Sequence, residues 1–281
     1  MNLFYKDHFN MKHPLILLIA LLLSGCASQE PKIAIFCDHI EAISHQENIP
    51  FAEAAAQVRQ IGYSGVDVFT TQDPRELDIL DSLGFRHSCA VARINYSSGD
   101  QEEDERNALD FLVKHGYTRV LLVPGLLDED CIPEDISVFK ARVARFVSKA
   151  KALGIDTTLE DFDNMRSPVH DIAGLSDFFD SIPDINHTFD SGNYLFSGED
   201  CMEALSLFRD RITHVHLKDR VSAKDLSCPA VGTGCIPVGA IIRDIVSSGY
   251  DGWFTAEMFG NKTMLESAGI AYDNIAAALV P

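Results

Sequence analysis

From Pro31 onward the chain alternates short apolar runs, rich in β-branched and aromatic residues, with longer segments of helical periodicity. Alternation of this kind indicates βα units joined into a parallel sheet. Eight of the short runs have the length and composition of buried strands. They span residues 33–37, 65–69, 86–92, 119–123, 156–160, 186–190, 212–218 and 252–257.

The segments between these strands have the pattern of amphipathic helices. In residues 51–61 and 137–153, for example, apolar side chains recur at helical spacing. Five glycines follow a helical segment and precede a strand, at the position where helices commonly end in glycine. They are Gly62, Gly84, Gly116, Gly154 and Gly249. Their regular placement supports one repeating βα unit, and the polar stretch 97–106 is predicted to be a loop after the third strand.

Two folds are built from such units, a closed barrel and an open doubly wound sheet. The open sheet normally has a glycine-rich phosphate-binding turn after its first strand, and Cys37, Asp38 and His39 provide none. Without residues 1–26 the chain keeps 255 of its 281 residues, close to the roughly 250 of a typical barrel. We therefore predict an α/β fold, a single-domain (β/α)8 TIM barrel spanning residues 32–281.

The N-terminal residues have the features of an export signal. Lys12 and His13 precede an apolar run, residues 14–23, that is too short to span a bilayer comfortably. Leu23-Ser24-Gly25-Cys26 follows and resembles the lipobox of bacterial lipoproteins, in which the cysteine is lipidated. We predict a signal peptide over residues 1–26, a short tether over 27–31, and membrane contact through the lipid on Cys26 alone.

An ordinary cleaved signal peptide and an uncleaved anchor remain alternatives. Each of the three interpretations places the barrel outside the cytoplasm. The expected location is the periplasmic or cell-surface side of a bacterial membrane, with lipidated Cys26 as the anchor.

Six cysteines remain when Cys26 is set aside. Cys37 and Cys89 lie in predicted strands and are expected to be buried thiols, while Cys201, Cys228 and Cys235 lie near loops and are candidates for disulfides.

The charge of the chain excludes one class of partner. Its 42 acidic and 23 basic residues give a formal net charge of −19. Such a field repels phosphate backbones, so nucleic acid is not expected as a partner. A homo-oligomer is compatible with the composition, which leaves the oligomeric state open.

Polar residues at the carboxyl ends of barrel strands indicate an active site, since barrel enzymes place their active sites there. The last four predicted strands each supply one candidate metal ligand, and we call this set the strand-end cluster. It consists of Glu160, Asp190, His216 and Glu257. Three carboxylates would repel one another without a cation, and this mainly oxygen donor set suits one divalent ion of Mn, Mg, Co or Zn.

The residues around the cluster resemble a known family, the sugar phosphate isomerases/epimerases, within the xylose-isomerase-like TIM barrels related to endonuclease IV. The resemblance extends from about Ile33 to the C-terminus. It rests on Leu159-Glu160, Phe189-Asp190-Ser191-Gly192-Asn193, His214-Val215-His216-Leu217-Lys218-Asp219, Val231-Gly232-Thr233-Gly234, Gly249-Tyr250-Asp251-Gly252-Trp253 and Ala256-Glu257. In this family the second histidine of the His-x-His pair is a metal ligand, which carries over to His216.

The resemblance implies a metal-dependent isomerase or epimerase that acts on an open-chain ketose or related polyol. Glu160 and Glu257 would be ligands and also the catalytic groups, one removing and the other returning a proton through an enediolate. The chain lacks the Glu-x-Asn-Arg pattern of ketose 3-epimerases after His216. Export also favours an unphosphorylated carbohydrate over a phosphorylated metabolite. A lyase or hydrolase acting on 3-keto-glycosides, and a non-catalytic sugar-binding lipoprotein, are the alternatives.

Several neighbours of the cluster are candidates for substrate binding. His214 and Lys218 have the same parity as His216 along the strand, so all three point to one side. His214 is equally compatible with a packing role, and Lys218 with an ion pair to a nearby acid. Asn193 and His187 are further candidates for substrate contact.

Overall fold

The structure, a computed structural model, describes residues 31–99 and 101–280. Within these residues eight parallel strands pair in chain order, and the first pairs with the last to close a barrel. The strands are β1 (Ile33–Phe36), β2 (Gly65–Phe69), β3 (Arg86–Arg93), β4 (Arg119–Val123), β5 (Asp156–Leu159), β6 (Asn186–Asp190), β7 (Ile212–Lys218) and β8 (Phe254–Glu257). The predicted single-domain TIM barrel is therefore confirmed, with each strand within two residues of its predicted bounds.

Helices connect the strands along the outside of the barrel. In the described residues they are α1 (Cys37–Glu47), α2 (Phe51–Ile61), α3 (Pro74–Ser82), α4 (Glu102–His115), α5 (Pro133–Ala152), α6 (Ile172–Ser181), α7 (Cys201–Phe208), α8 (Val238–Ser247) and α9 (Met264–Leu279). The predicted bounds of α2 are confirmed. Helix α5 begins four residues earlier than predicted because Pro133 occupies its first turn and Asp135 accepts a hydrogen bond from the Ile132 N–H at 2.9 Å.

The predicted loop 97–106 is wrong in its second half. Residues Tyr96–Ser98 form a 3₁₀ turn, and α4 already begins at Glu102. The first turn of α4 is Glu102, Glu103, Asp104 and Glu105, and negative side chains there interact favourably with the helix dipole. A polar, acidic stretch can thus be the start of a helix as well as a loop.

The predicted glycine stops lie where helices end. Gly116 follows α4 with φ 71°, a left-handed conformation that costs glycine little, and its N–H bonds to the Leu112 carbonyl. Gly62, Gly84, Gly154 and Gly249 also have positive φ. The turn that leads each of these helices into the next strand is therefore made in the same way.

Strand register brings the strand-end cluster together. Asp190 of β6 pairs with His216 of β7, and Lys218 of β7 pairs with Glu257 of β8. Because parallel strands in a barrel end at the same rim, these side chains share the carboxyl-terminal opening. The large core between helices and barrel is apolar, and a smaller cluster of Phe36, Cys89, Val91 and Leu121 forms beside the opening.

The predicted signal peptide, Cys26 and residues 27–30 of the tether lie outside the described residues. Among residues 31–99 and 101–280, no helix is long and apolar enough to cross a membrane. The six cysteines in this part of the chain are unpaired, and the expected burial of Cys37 and Cys89 is confirmed. The candidate disulfides among Cys201, Cys228 and Cys235 are thus not formed.

Candidate metal centre and active site

The strand-end cluster lies at the carboxyl-terminal opening of the barrel. Each of its four residues offers a ligand atom, and these atoms all lie within 4.8 Å of one another. Glu160 directly follows β5, Asp190 ends β6, His216 lies near the end of β7, and Glu257 ends β8. Four consecutive strands therefore contribute one group each, as the sequence indicated.

The two oxygens of Asp190 have different surroundings. Oδ1 accepts the backbone N–H groups of Gly192 at 2.8 Å and Asn193 at 2.9 Å, which fixes the turn after β6. Oδ2 is buried and has no hydrogen-bond partner among the described residues, although the Lys218 ammonium lies 3.1 Å from it. Asp190 therefore presents one oxygen that is free to bind a cation.

The His216 ring connects two groups of carboxylates. Its Nδ1 lies 3.0 Å from Glu160 Oε2 and 3.1 Å from Glu257 Oε2, while Nε2 lies 3.1 Å from Asp67 Oδ2. Burial lowers the pKa of His216, but its hydrogen bonds to these carboxylates outweigh burial and raise it well above its usual value. The carboxylates therefore favour positive charge at the position of Nδ1.

A divalent cation fits this arrangement. Three carboxylates and one imidazole are ligands that Mn²⁺, Mg²⁺, Co²⁺ and Zn²⁺ accept. Asp190 Oδ2 and His216 Nδ1 are directed into the cluster, and Nε2 of the same ring donates to a buried carboxylate. A histidine ligand that donates its second N–H to a carboxylate is the usual arrangement at metal sites in proteins. The residues present are thus compatible with the predicted metal.

Asp67, the fully buried carboxylate behind His216, is a site residue that was not predicted from the sequence. Asp67 Oδ2 accepts from His214 Nε2 at 2.8 Å and from His216 Nε2, while its Oδ1 accepts from Ser88 and Thr255 hydroxyls. Burial alone would raise the pKa of Asp67, but the two histidines hold it well below its usual value. An acid within the apolar strand β2 was the available signal, because a buried charge requires partners.

Glu160 and Glu257 have pKa values shifted in opposite directions. Burial raises the pKa of Glu160 to about 7, with the neighbouring Glu257 and Asp190 charges adding to the shift. For Glu257 burial is outweighed by the Lys218 ammonium and by His216, which together lower its pKa far below the usual range. The surroundings therefore favour the protonated form of Glu160 and the ionised form of Glu257.

Lys218 is buried beside the cluster. Its ammonium lies 2.5 Å from Glu257 Oε1 and donates to Asn193 Oδ1 at 2.8 Å. Burial would lower the pKa of Lys218, but the surrounding carboxylates raise it well above its usual value. The alternative that Lys218 pairs with a nearby acid is therefore observed, and the side chain also lines the cavity at the opening.

Two residues predicted to contact substrate lie away from this cavity. His214 is one layer deeper in the barrel, where it bonds to Asp67, so the packing alternative describes its position. His187 points outward, bonds to the Leu159 carbonyl and the Tyr194 hydroxyl, and packs against Phe179. His187 lies three residues before Asp190 and therefore faces the other side of β6, whereas His214 shares a side of β7 with His216 but lies two residues earlier in the strand.

The glycine-containing loop after β7 is folded around Asp219. This buried carboxylate accepts the backbone N–H groups of Gly232 at 3.0 Å, Gly234 at 2.7 Å and Ile236 at 3.0 Å. A Cβ atom on Gly234 would lie 2.2 Å from the Arg220 carbonyl oxygen. The Gly-x-Gly pattern is therefore explained by close backbone packing around Asp219, at the edge of the opening.

The cavity at the opening has a volume of about 470 Å³, within the usual range for small-molecule sites. Glu160, Asn193, Lys218 and Glu257 line its polar side. Strands β1–β4 supply an opposite side that we call the apolar wall. It consists of Phe36, Phe69, Val91, Leu121 and Val123. The cavity thus places a small polar molecule against the strand-end cluster.

Comparison with known families agrees with this architecture. Residues 55–277 match the model of a family described as xylose isomerase-like TIM barrel. The chain belongs to this xylose isomerase-like family. Its match covers the last seven strands, including all four members of the strand-end cluster.

The curated relatives of this family member include inosose dehydratases. The protein from Lacticaseibacillus casei is 24% identical over 246 residues, which cover 75% of this chain and 83% of the relative. An inosose dehydratase from Bacillus anthracis is 39% identical, but over 85 residues that cover 25% of this chain and 28% of the relative. Both relatives are named as dehydratases of an inosose.

Two solved structures illustrate the shared fold. A probable 3-DHS dehydratase from Bacillus anthracis superposes with a TM-score of 0.73 at 14% identity, covering 87% of this chain and 98% of the other. A D-allulose 3-epimerase from Methylomonas sp. gives a TM-score of 0.69 at 18% identity, covering 89% and 98%. At these identities the similarity establishes the barrel fold alone. The reaction is therefore argued from the chemistry of the site.

Proposed function

We propose that this protein is a divalent-metal-dependent enzyme that removes a proton from a carbon beside a carbonyl group in a polyhydroxylated substrate. The observation that carries this proposal is the strand-end cluster, whose ligand atoms lie within 4.8 Å of one another. Two of its members, Glu160 and Glu257, also line the 470 Å³ cavity. A substrate in the cavity would therefore meet both the metal ligands and two carboxyl groups.

A divalent cation held by the cluster would polarise the substrate carbonyl and orient a neighbouring hydroxyl group. Asp190 would contribute its unpartnered Oδ2, and His216 would contribute Nδ1. Asp67 would hold the His216 ring in place through Nε2. Glu160 and Glu257 would complete the set, as the family resemblance implies.

We assign proton removal to Glu257 and proton return to Glu160. Lys218 and His216 hold Glu257 ionised, so that it is ready to accept a proton. In the metal-free protein burial raises the pKa of Glu160 to about 7, so Glu160 takes up a proton more readily than Glu257 does. A pair of carboxyl groups with separated pKa values is the arrangement that general acid–base catalysis uses.

The enediolate formed by proton removal has two productive fates. Return of a proton from Glu160 gives an isomer or epimer of the sugar, which is the reaction that the family resemblance implies. The substrate class is then an open-chain ketose or related polyol. Glu257 takes up one proton and Glu160 gives one back, so no net proton is gained or lost.

Loss of a hydroxyl group from the adjacent carbon is the second candidate, and it would make the protein a dehydratase. Lys218 favours this alternative, because its ammonium lies beside Glu257, lines the cavity, and can donate a proton to a departing hydroxyl. The curated relatives named inosose dehydratase point in the same direction. Both reactions begin with the same proton removal.

Proton NMR in D₂O tests the proposal. We would incubate the protein and Mn²⁺ with D-fructose, D-allulose, scyllo-inosose and a 3-keto-glucoside, and follow each signal beside a carbonyl. Exchange of that proton for deuterium is expected, with a new epimer for the isomerase or a new alkene signal for the dehydratase. Glu257→Gln should abolish exchange, whereas Glu160→Gln should abolish formation of the epimer.

Two results would contradict the proposal. Turnover without deuterium at the reacting carbon would indicate a hydride shift in place of proton transfer. Sugar binding in calorimetry, combined with no exchange of any tested proton in wild type, would favour the non-catalytic sugar-binding protein.

We also propose that the barrel is exported and held at the membrane by a lipid on Cys26. The supporting feature is the sequence Leu23-Ser24-Gly25-Cys26 after the apolar run 14–23. Labelled palmitate should be incorporated into the wild-type chain and not into Cys26→Ser. Equal labelling, or recovery of the wild-type protein from the cytoplasm, would contradict this part of the proposal.

A further inference from the structure

The cavity beside the strand-end cluster contains one charged side chain in an otherwise apolar region. Among the lining residues that strands β1–β4 contribute, Arg93 is the charged one, beside the apolar wall. It ends β3, which stands opposite β7 in the eight-stranded barrel because the strands pair in chain order. Arg93 and Lys218 therefore enter the cavity from opposite sides.

The Arg93 guanidinium is held by stacking. Its central carbon lies 4.0 Å from the centroid of the Phe69 ring, a contact that fixes the plane of the group and leaves its edge free for hydrogen bonds. Within residues 31–99 and 101–280, Arg93 has no hydrogen bond and no ion pair. All five of its N–H donors therefore lack an acceptor from this part of the chain.

The other two cations of the cavity are already engaged. Lys218 contacts Asp190 and Glu257. Arg220 donates to the Gly192 carbonyl, the Asp163 carboxylate and the Asn193 side chain. Both groups therefore already have acceptors within the protein, and Arg93 differs from them in having none among the described residues.

Nearby acids supply a competing explanation for Arg93. Asp38, Glu41 and Glu76 line a neighbouring cavity that Arg93 also borders. Gln72 bridges two of these acids, donating to Glu41 at 2.8 Å and to Glu76 at 2.5 Å. Arg93 is exposed and acts on Asp38, since burial and Glu41 raise the pKa of that carboxyl and Arg93 lowers it. It nevertheless forms no ion pair within 4.0 Å among the described residues, so this weak interaction leaves its N–H donors without a protein acceptor.

We propose that Arg93 binds an anionic substituent of the substrate on the side of the cavity opposite the strand-end cluster. The proposed export of the barrel favours a carboxylate, and a phosphate ester is the other source of the same chemistry. A guanidinium edge matches the two oxygens of such a group in a bidentate pair. The apolar wall would pack against the carbon skeleton between the two ends. This inference rests on the proposed function for the identity of the reacting end, and it adds that the substrate is a charged sugar derivative.

Binding of three matched sugars tests the inference. D-Fructose is the neutral parent, D-fructuronate carries a carboxylate at its far end, and D-fructose 6-phosphate carries a phosphate ester there. Isothermal titration calorimetry on the full chain with Mn²⁺ gives the Kd of each. The wild type should bind at least one anionic sugar about tenfold or more tighter than fructose, the size expected for hydrogen bonds to a charged group.

Variants assign that preference to Arg93. Arg93→Gln should remove the preference for the anionic sugar and leave the Kd of fructose unchanged within about twofold. Arg93→Lys should keep part of the preference, because lysine keeps the positive charge but lacks the planar, two-pronged guanidinium. Arg106→Gln is the matched control, since Arg106 is exposed on the outer helix α4. That control should preserve all three affinities.

The outcomes separate the two anions and the two proposals. Preference for fructuronate alone identifies a sugar acid, and preference for the phosphate alone identifies a sugar phosphate. Equal or undetectable binding of the three sugars to wild type, or equal weakening of charged and neutral sugars in Arg93→Gln, would overturn the role of Arg93. Because binding requires no turnover, Arg93-dependent preference without deuterium exchange would refute the proposed reaction alone.

Discussion

Removing the charge of Asp67 should weaken metal binding without disturbing any ligand directly. Asp67 Oδ2 accepts from both His214 and His216, and Oδ1 accepts from Ser88 and Thr255. An asparagine can keep this pattern, with its oxygen toward the histidines and its amide toward the hydroxyls. Asp67→Asn therefore isolates the effect of the charge, and Asp67→Ala also removes the orientation of the His216 ring.

The expected magnitude follows from this position behind the ligand. Loss of a partner that orients a histidine ligand typically weakens metal affinity by about 10- to 100-fold. We expect about tenfold for Asp67→Asn and up to about 100-fold for Asp67→Ala. At saturating metal these losses correspond to about 1.4 and 2.7 kcal/mol of metal-dependent stabilisation. The metal-free fold should also lose about 3–5 kcal/mol when the buried histidines lose their acceptor in Asp67→Ala.

Urea unfolding with and without Mn²⁺ separates the two effects. The difference between the two free energies of unfolding measures metal binding and cancels the structural cost. Asp156→Asn is a suitable control, since Asp156 accepts from Arg119, Asn186 and Thr213 at the other end of the barrel. If both Asp67 variants lost no more metal-dependent stabilisation than this control, the role assigned to Asp67 would be wrong.

Three further results are expected. Glu257→Gln should lower kcat by about 100- to 10,000-fold in a deuterium-exchange assay at saturating Mn²⁺, because a general base is lost; a loss below tenfold would contradict its assignment. Burial raises the pKa of Glu160 to about 7 in the metal-free protein, so its contribution to stability is complete below about pH 4.5 and lost as the pH rises towards 7. Mn²⁺ affinity should increase over that same range, since the carboxylate must be ionised to bind, and a pH-independent affinity between pH 5 and 7 in calorimetry would argue against Glu160 as a ligand. Gly234→Ala should cost about 1–3 kcal/mol in urea unfolding because a Cβ atom would lie 2.2 Å from the Arg220 carbonyl oxygen; an unchanged midpoint would show that the loop accommodates it.

The sequence predicted the barrel well because its signal is repeated. Each βα unit carries the same order of apolar strand, amphipathic helix and glycine stop, so an error in one unit does not alter the fold. The strand-end cluster was accessible for a related reason, since barrel strands end at one rim and Glu160 and Glu257 lie at two of those ends. Residues 97–106 contain no such repeat, and their acidic, polar composition is as typical of a loop as of the first turn of α4.

Residues that support the strand-end cluster without belonging to it were harder to predict from the sequence. Asp67 is 147 residues from its partner His214, and the two meet only when the barrel closes. His187 and His214 lie close in sequence to members of the strand-end cluster, yet His187 bonds to the Leu159 carbonyl on the outer side of β6 and His214 bonds to Asp67 inside the barrel. Arg93 is a candidate for substrate binding because no described residue accepts a hydrogen bond from its guanidinium. That can be known only once the positions of all its neighbours are known.

Binding of a divalent cation by the strand-end cluster is tested most directly by metal stoichiometry. The full chain and its His216→Ala and Glu257→Ala variants would be stripped with EDTA, reloaded with Mn²⁺, desalted and analysed by plasma mass spectrometry. The wild type is expected to retain about one ion per chain, and both variants should retain far less while staying folded by circular dichroism. Equal Mn²⁺ content in the wild type and both folded variants, or none in the wild type, would contradict a metal centre formed by these residues.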